Sequence, residues 1–168
     1  MVDPSVQKIL DDIDVPWEIV ACDPALADTA NFVQAYGYSL DDSANTIVVI
    51  GKADPPRYAA CVVLANTRLD VNRAVKQKIG ARASFASGED VERMTGMTIG
   101  GVTPVGITGI PIWVDARVMT RERIILGGGN RSSKILTPPS IFLALPNAEV
   151  VEGLALSLDS APSALRSG

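Results

Sequence analysis

Apolar residues recur along this chain in two periods, and the switches between them predict its elements. Val6, Ile9, Leu10 and Ile13 share one side of a helix that Asp3 caps and Pro4 opens. Trp17–Ala21 predicts a short strand, and Asp28 caps a second helix that runs to Tyr36 and stops at Gly37. Asn45–Ile50 and Tyr58–Ala65 are β-branched and apolar, and Asp54-Pro55-Pro56 turns the chain between them, so they predict a buried hairpin. Asp70 caps a helix carrying Val71, Ala74, Val75 and Ile79 on one face, ended by Gly80. Ser87 with Asp90 three residues on resembles a capping box for a helix through Met94. Strands follow at Ile110–Val114 and Arg123–Leu126, a tight reversal at Gly127–Asn130, and a partner strand at Lys134–Leu136. Thr137-Pro138 opens a helix to Leu145, and Glu149–Val151 closes the sheet. The pattern predicts one α/β (α+β) domain over residues 1–156 with a mixed sheet, and a flexible tail over 157–168.

Composition narrows the chemistry more than the fold. Histidine is absent, which removes His-based triads, His-ligated zinc and imidazole acid–base catalysis. Cys22 and Cys61 sit in apolar surroundings and predict reduced core thiols, with neither a disulfide nor a metal or other cofactor. The opening Met1-Val2-Asp3-Pro4 has no basic segment or apolar run, and no apolar stretch is long enough for a membrane span. A cytoplasmic protein with no membrane partner is expected.

The net charge of −4 is unevenly spread. Residues 1–50 carry one base, Lys8, and nine acids, a net of −8, and the rest of the chain has fourteen bases and ten acids, a net of +4. Arg68, Arg73, Lys76, Lys78 and Arg82 form one basic cluster, and Arg117, Arg121, Arg123, Arg131 and Lys134 another. Each is either a solvated face or a contact for phosphates.

Between the helix ending near Met94 and the strand at Ile110 lies Thr95–Gly106, with Gly96, Gly100, Gly101 and Gly106 beside Pro104. Such a loop either reverses the chain or aims successive N–H groups at one anionic oxygen. A second glycine run, Gly127–Gly129, precedes Ser132, Ser133 and Lys134 but lacks the second glycine of a phosphate-binding loop. Ser133 and Lys134 are neighbours on a strand and point to opposite faces, so they do not make a nucleophile pair.

The order of these motifs resembles the YbaK-like family of aminoacyl-tRNA editing domains, relatives of the editing insertion of bacterial prolyl-tRNA synthetase. The matching features are Leu69-Asp70 opening a helix, Gly100-Gly101-Val102-Thr103-Pro104, Ile110–Asp115, Gly127–Ser132 and Glu149–Glu152, within roughly residues 4 to 155. The resemblance implies a mixed sheet curled toward a barrel and surrounded by helices. It implies metal-free hydrolysis of the ester joining a wrong amino acid to the tRNA 3′ adenosine, assisted by a ribose hydroxyl. The partner it implies is the aminoacyl-tRNA 3′ end, bound weakly and salt-sensitively on this acidic chain; it leaves the oligomeric state open.

The resemblance also assigns residues. Gly101, Thr103 and Pro104 of the Gly-x-x-Pro loop face the substrate carbonyl, and Asn45 stands where the family has a catalytic lysine. Thr46, Gly100, Val102, Asp115 and Lys134 contact substrate. A side chain at Gly101 is expected to block access without unfolding the domain. Asp115 either caps the next turn or takes part in the chemistry, and Thr103 either bonds substrate or satisfies a loop carbonyl. With neutral Asn45 at the lysine position, two functions stay open: a trans-acting deacylase of mischarged tRNA, and a non-catalytic module that binds an aminoacyl, nucleotide or tRNA-end ligand.

Overall fold

The predicted hairpin forms the middle of the molecule. β2 (Ala44–Gly51) and β3 (Arg57–Leu64) pair antiparallel in an unbroken register from Ala44 opposite Leu64 to Gly51 opposite Arg57. The computed structural model describes residues 1–158. Around the hairpin a five-stranded sheet has the order β5 (Ala83–Phe85), β2, β3, β6 (Ile112–Asp115), β9 (Ala148–Val151). The β3–β6 and β6–β9 pairs are parallel and the others antiparallel, so the sheet is mixed.

Alternation along these strands divides two cores. Ala60, Val62, Leu64, Ile112 and Val114 face one side, and Ala59, Cys61, Val63 and Trp113 face the other. On the first side pack α1 (Pro4–Asp12), through Val6 and Leu10, and a second sheet of β1 (Glu18–Ala21), β8 (Ser133–Thr137) and β7 (Ile124–Gly127). On the other side lie Val75 of a wide π-helical turn, Val71–Val75, and Ile79 of α3 (Lys76–Ile79), into which it runs. α2 (Thr29–Tyr36) covers the outer face of the three-stranded sheet, where Phe32 meets Ile125 and Leu136. α4 (Gly88–Thr95) leads into the glycine loop.

The capping signals hold at Asp3, whose carboxylate accepts from Ser5 N–H, at Asp70 from Arg73 N–H, and at Ser87 from Asp90 N–H. Asp28 sits at the predicted N-cap but makes no capping bond; its carboxylate pairs with Arg131 at 3.1 Å. The helix after Thr137-Pro138 is a 3₁₀ segment, Pro139–Ala144.

The barrel-like curl needs correcting as well. Among the described residues there are three sheets, and the third pairs β4 (Thr67–Leu69) with β10 (Ala155–Ser157). Closure requires every edge strand to find a partner. Among the described residues the five- and three-stranded sheets share one isolated backbone bridge, Ser43 to Ile125, and β9 and β5 remain edges. Ser157 of the expected tail pairs with Thr67, and residues 159–168 lie outside the described residues.

Candidate active site

Two glycine runs far apart in sequence touch. Gly129 N–H donates to Gly101 O at 2.6 Å, and a Cβ on Gly101 would collide with the Asn130 carbonyl. A Cβ on Gly127 would meet Gly101 O at 2.7 Å. Only glycine lets two backbones cross this closely. Asn130 fixes the crossing: its Oδ1 accepts from Ser132 N–H, Ser132 Oγ and Ser133 Oγ, and its Nδ2 donates to Met1 O. Gly101 N–H closes a turn onto Thr98 O at 2.9 Å and is thereby used up inside the loop. The expectation that Gly101→Val keeps the fold is therefore wrong, because the bulk lands on backbone and not on a ligand.

The crossing presents one side of the loop to a cavity of about 330 Å³ between α2, β2, β7 and β8. Of the residues that the family resemblance assigns, Asn45, Thr46, Gly100, Val102 and Lys134 line it. Gly101, Thr103, Pro104 and Asp115 are not among its lining residues. Thr103 is fully buried behind the loop, its N–H directed at Met97 Sδ 3.5 Å away and its Oγ1 without a partner. Pro104 O accepts from Ile107 N–H. Asp115 lies at the end of β6, where its Oδ1 accepts from Leu154 and Ala155 N–H at 3.1 and 3.3 Å. Its buried carboxylate ties β10 to the sheet; desolvation by burial raises its pKa against the pull of these bonds.

Lys134 is the cation of the cavity. It is 6% exposed, and its ammonium donates to Ala27 O at 2.6 Å and Gly100 O at 3.1 Å. The nitrogen stands 5.5 Å from the centre of the Phe32 ring. Burial lowers its pKa from the ordinary lysine value, with nearby Cys22 opposing and Arg131 reinforcing that shift. An ammonium has three protons, so one remains beyond the two carbonyls. Ser133 and Lys134 diverge as alternation requires, Ser133 to Asn130 and Lys134 to the cavity.

Asn45 meets the cavity with a defined orientation: its Oδ1 accepts from Thr29 Oγ1 at 2.6 Å, leaving Nδ2 with no protein acceptor among the described residues. Thr46 Oγ1 is buried and unpartnered. The N–H groups of Gly100 and Val102 likewise have no protein acceptor among the described residues. The wall is thus rich in unused donors, while its one carboxylate, Asp28, stands at the rim against Arg131. Arg131 also donates to Pro24 O and Ile99 O, pinning the segment before α2 to the glycine loop. Sequence reasoning did not name Asp28, Thr29, Phe32 or Arg131 for the site. Asp28 and Arg131 are 103 residues apart, and no local pattern joins them. No group of three His, Cys, Asp or Glu side chains among the described residues is placed to hold a metal ion. None of the helices there is long and apolar enough to cross a membrane.

The model of the family described as the aminoacyl-tRNA editing domain matches residues 23–141. The chain is similar to an Enterococcus faecalis (strain ATCC 700802 / V583) protein provisionally named Cys-tRNA(Pro)/Cys-tRNA(Cys) deacylase EbsC. The two are 27% identical over 108 residues, 64% of this chain and 65% of that protein. It is also similar to a proline–tRNA ligase of Shouchella clausii (strain KSM-K16), 30% identical over 94 residues, 56% of this chain and 16% of the ligase. The matches therefore span less than two thirds of one relative and a small part of the other. In fold it is similar to a crystal structure of a provisionally assigned trans-editing enzyme for prolyl tRNA synthetase. The TM-score is 0.74 at 22% identity, covering 90% of this chain and 98% of that one. The family match runs from the segment before α2 to beyond β8 and takes in every residue assigned to the cavity, and the chain belongs to the aminoacyl-tRNA editing domain family.

Proposed function

We propose that the cavity hydrolyses, in trans and in the cytoplasm, the ester bond of mischarged aminoacyl-tRNA. The observation that supports this reading is that Lys134, Asn45, Gly100 and Val102 line one cavity, and that the N–H groups of Gly100 and Val102 have no protein acceptor among the described residues. An aminoacyl ester is already activated, so positioned water and a stabilised oxyanion suffice without a strong base. Water adds to the carbonyl carbon, and the carbonyl oxygen takes the developing charge among the loop N–H groups. One such donor contributes about 3–4 kcal/mol in comparable sites. The ester bond to the ribose oxygen then breaks, and the proton lost by water passes to that oxygen by way of the neighbouring ribose hydroxyl. Asn45 Nδ2 holds the water or the ester oxygen, and the third Lys134 proton supplies the charge-assisted bond that a lysine at position 45 would give. The Asp28 carboxylate at the rim suits the substrate's α-ammonium. In this reading Gly101, Thr103, Pro104 and Asp115 hold the architecture and do not touch substrate.

Asn45 also favours a second reading, a module that binds the same tRNA end without cleaving it, since a neutral amide at the lysine position gives up one charge. Deacylation assays on Ala-, Cys- and Ser-charged tRNAs separate the two. The hydrolytic reading expects turnover of at least one, slowed by Asn45→Ala and raised by Asn45→Lys. Ligand binding with no turnover by wild type or Asn45→Lys selects the binding module.

A further inference from the structure

The cavity accounts for the 3′ end of the substrate but not for the strand that leads to it. The second basic cluster, Arg117–Lys134, is largely occupied within the protein. Arg121 pairs with Asp42 at 2.9 Å, Arg131 with Asp28, and Lys134 is buried. The first cluster differs. Residues 52–82 carry seven bases and two acids, a net of +5. Of these bases only Lys78 makes a salt bridge among the described residues, with Glu149 at 2.8 Å. Lys52, Arg73, Lys76 and Arg82 are exposed, and Arg73 and Lys76 border an open hollow of about 460 Å³ beside Gly80 and Ala81.

This face reaches the cavity through one strand. Lys52 N–H donates to Arg82 O at 2.8 Å, placing both residues where β5 begins beside the end of β2. Three residues on, Phe85 lines the cavity and is 61% exposed. A strand rises about 3.3 Å per residue, so Arg82 and Phe85 are about 10 Å apart along an edge that no other strand covers. The opposite charge lies across the central sheet: Asp11, Asp12 and Asp14 stand on or just beyond α1, on the side away from α3. The basic stretch thus offers a polyanion an approach on the α3 side, with Glu89 and Asp90 at the start of α4 the acids that follow Phe85.

We propose that the face carrying Lys52, Arg73, Lys76 and Arg82 is the docking surface for the phosphate backbone of the tRNA acceptor strand. The strand crosses the β5 edge and enters the cavity past Phe85, whose exposed ring offers a stacking face for an unpaired base. This rests on the deacylase reading for the identity of the RNA. These cations position the strand without reading its sequence.

The test titrates the wild-type chain with uncharged tRNA by fluorescence anisotropy at several salt concentrations. It compares Arg73→Gln/Arg82→Gln with a control of equal charge change, Lys8→Gln/Arg123→Gln. The expected result is a loss of at least tenfold in affinity for the first variant at low salt. Its log–log salt slope becomes shallower by about 1 per cation removed, and the control changes less than twofold. Equal effects of the two variants, a larger effect of the control, or no binding of tRNA by wild type at low salt would overturn the proposal. Because uncharged tRNA is the probe, failure of deacylation with the binding pattern intact would sink the hydrolytic reading and leave the docking surface standing.

Discussion

Lys134 and Asp115 are two buried ionisable side chains that make no salt bridge among the described residues, and they meet different surroundings. Lys134, 6% exposed, donates to two backbone carbonyls; Asp115, 1% exposed, accepts from two backbone N–H groups. Burial disfavours the charged form of both, lowering one pKa and raising the other. The difference lies in what the remaining valence meets. The spare proton of Lys134 is at a cavity wall, whereas the second oxygen of Asp115 is sealed in the protein with no partner. A buried charge is therefore not evidence of a site by itself; of these two only Lys134 lines a concave space.

The largest effect that sharpens this contrast is expected at neither residue but at the loop crossing between them. Gly101→Val drives a side chain into the Asn130 backbone, so thermal denaturation should show a loss of about 3 kcal/mol or more, or no folded protein. A folded Gly101→Val with an unchanged melting temperature would mean that the two glycine runs do not cross as described.

A smaller effect is expected at Asp115. Asp115→Ala leaves Leu154 and Ala155 N–H without their acceptor, at about 1–3 kcal/mol for each buried group left unpaired. Asp115→Asn keeps an acceptor and removes the charge, so its melting temperature at neutral pH should stay close to wild type, and deacylation should be unaffected by this residue's charge. The smallest effect is in pH dependence. A carboxyl whose folded pKa is raised contributes stability that is fully present below its unfolded value of 3.8 and is lost as pH rises through the folded pKa. Relative to Asp115→Asn, wild type should therefore gain stability as pH falls toward 3.8 from above. A gain in the opposite direction would contradict the burial account.

What the chain disclosed in advance follows the range of the interactions. Asp3-Pro4, the β-branched apolar runs of β2 and β3 and the caps at Asp70 and Ser87 were legible because cap and run are local. The strands β4 and β10 were not: each has three residues, and their pairing joins Leu69 to Ala155 across the chain. Asn45, Thr46, Gly100, Val102 and Lys134 were named for the site through the family resemblance, and the fold brings them to one cavity. The family motif also drew in Gly101, Thr103, Pro104 and Asp115, since a motif marks residues that build a loop as readily as those that touch a ligand. That Gly101 is a crossing point depends on Asn130, and no spacing within Gly-x-x-Pro encodes a neighbour from another loop.

The central claim is that the cation held between Ala27 and Gly100 acts on the ester. Lys134→Met replaces the ammonium with an apolar chain of similar length, and single-turnover deacylation of the tRNA that wild type hydrolyses fastest measures the consequence. The account predicts a variant that still folds, because removal of a desolvated charge offsets part of the cost of leaving Ala27 O and Gly100 O without their donor, together with at least a tenfold slower single-turnover rate. A folded Lys134→Met that deacylates as fast as wild type would contradict it.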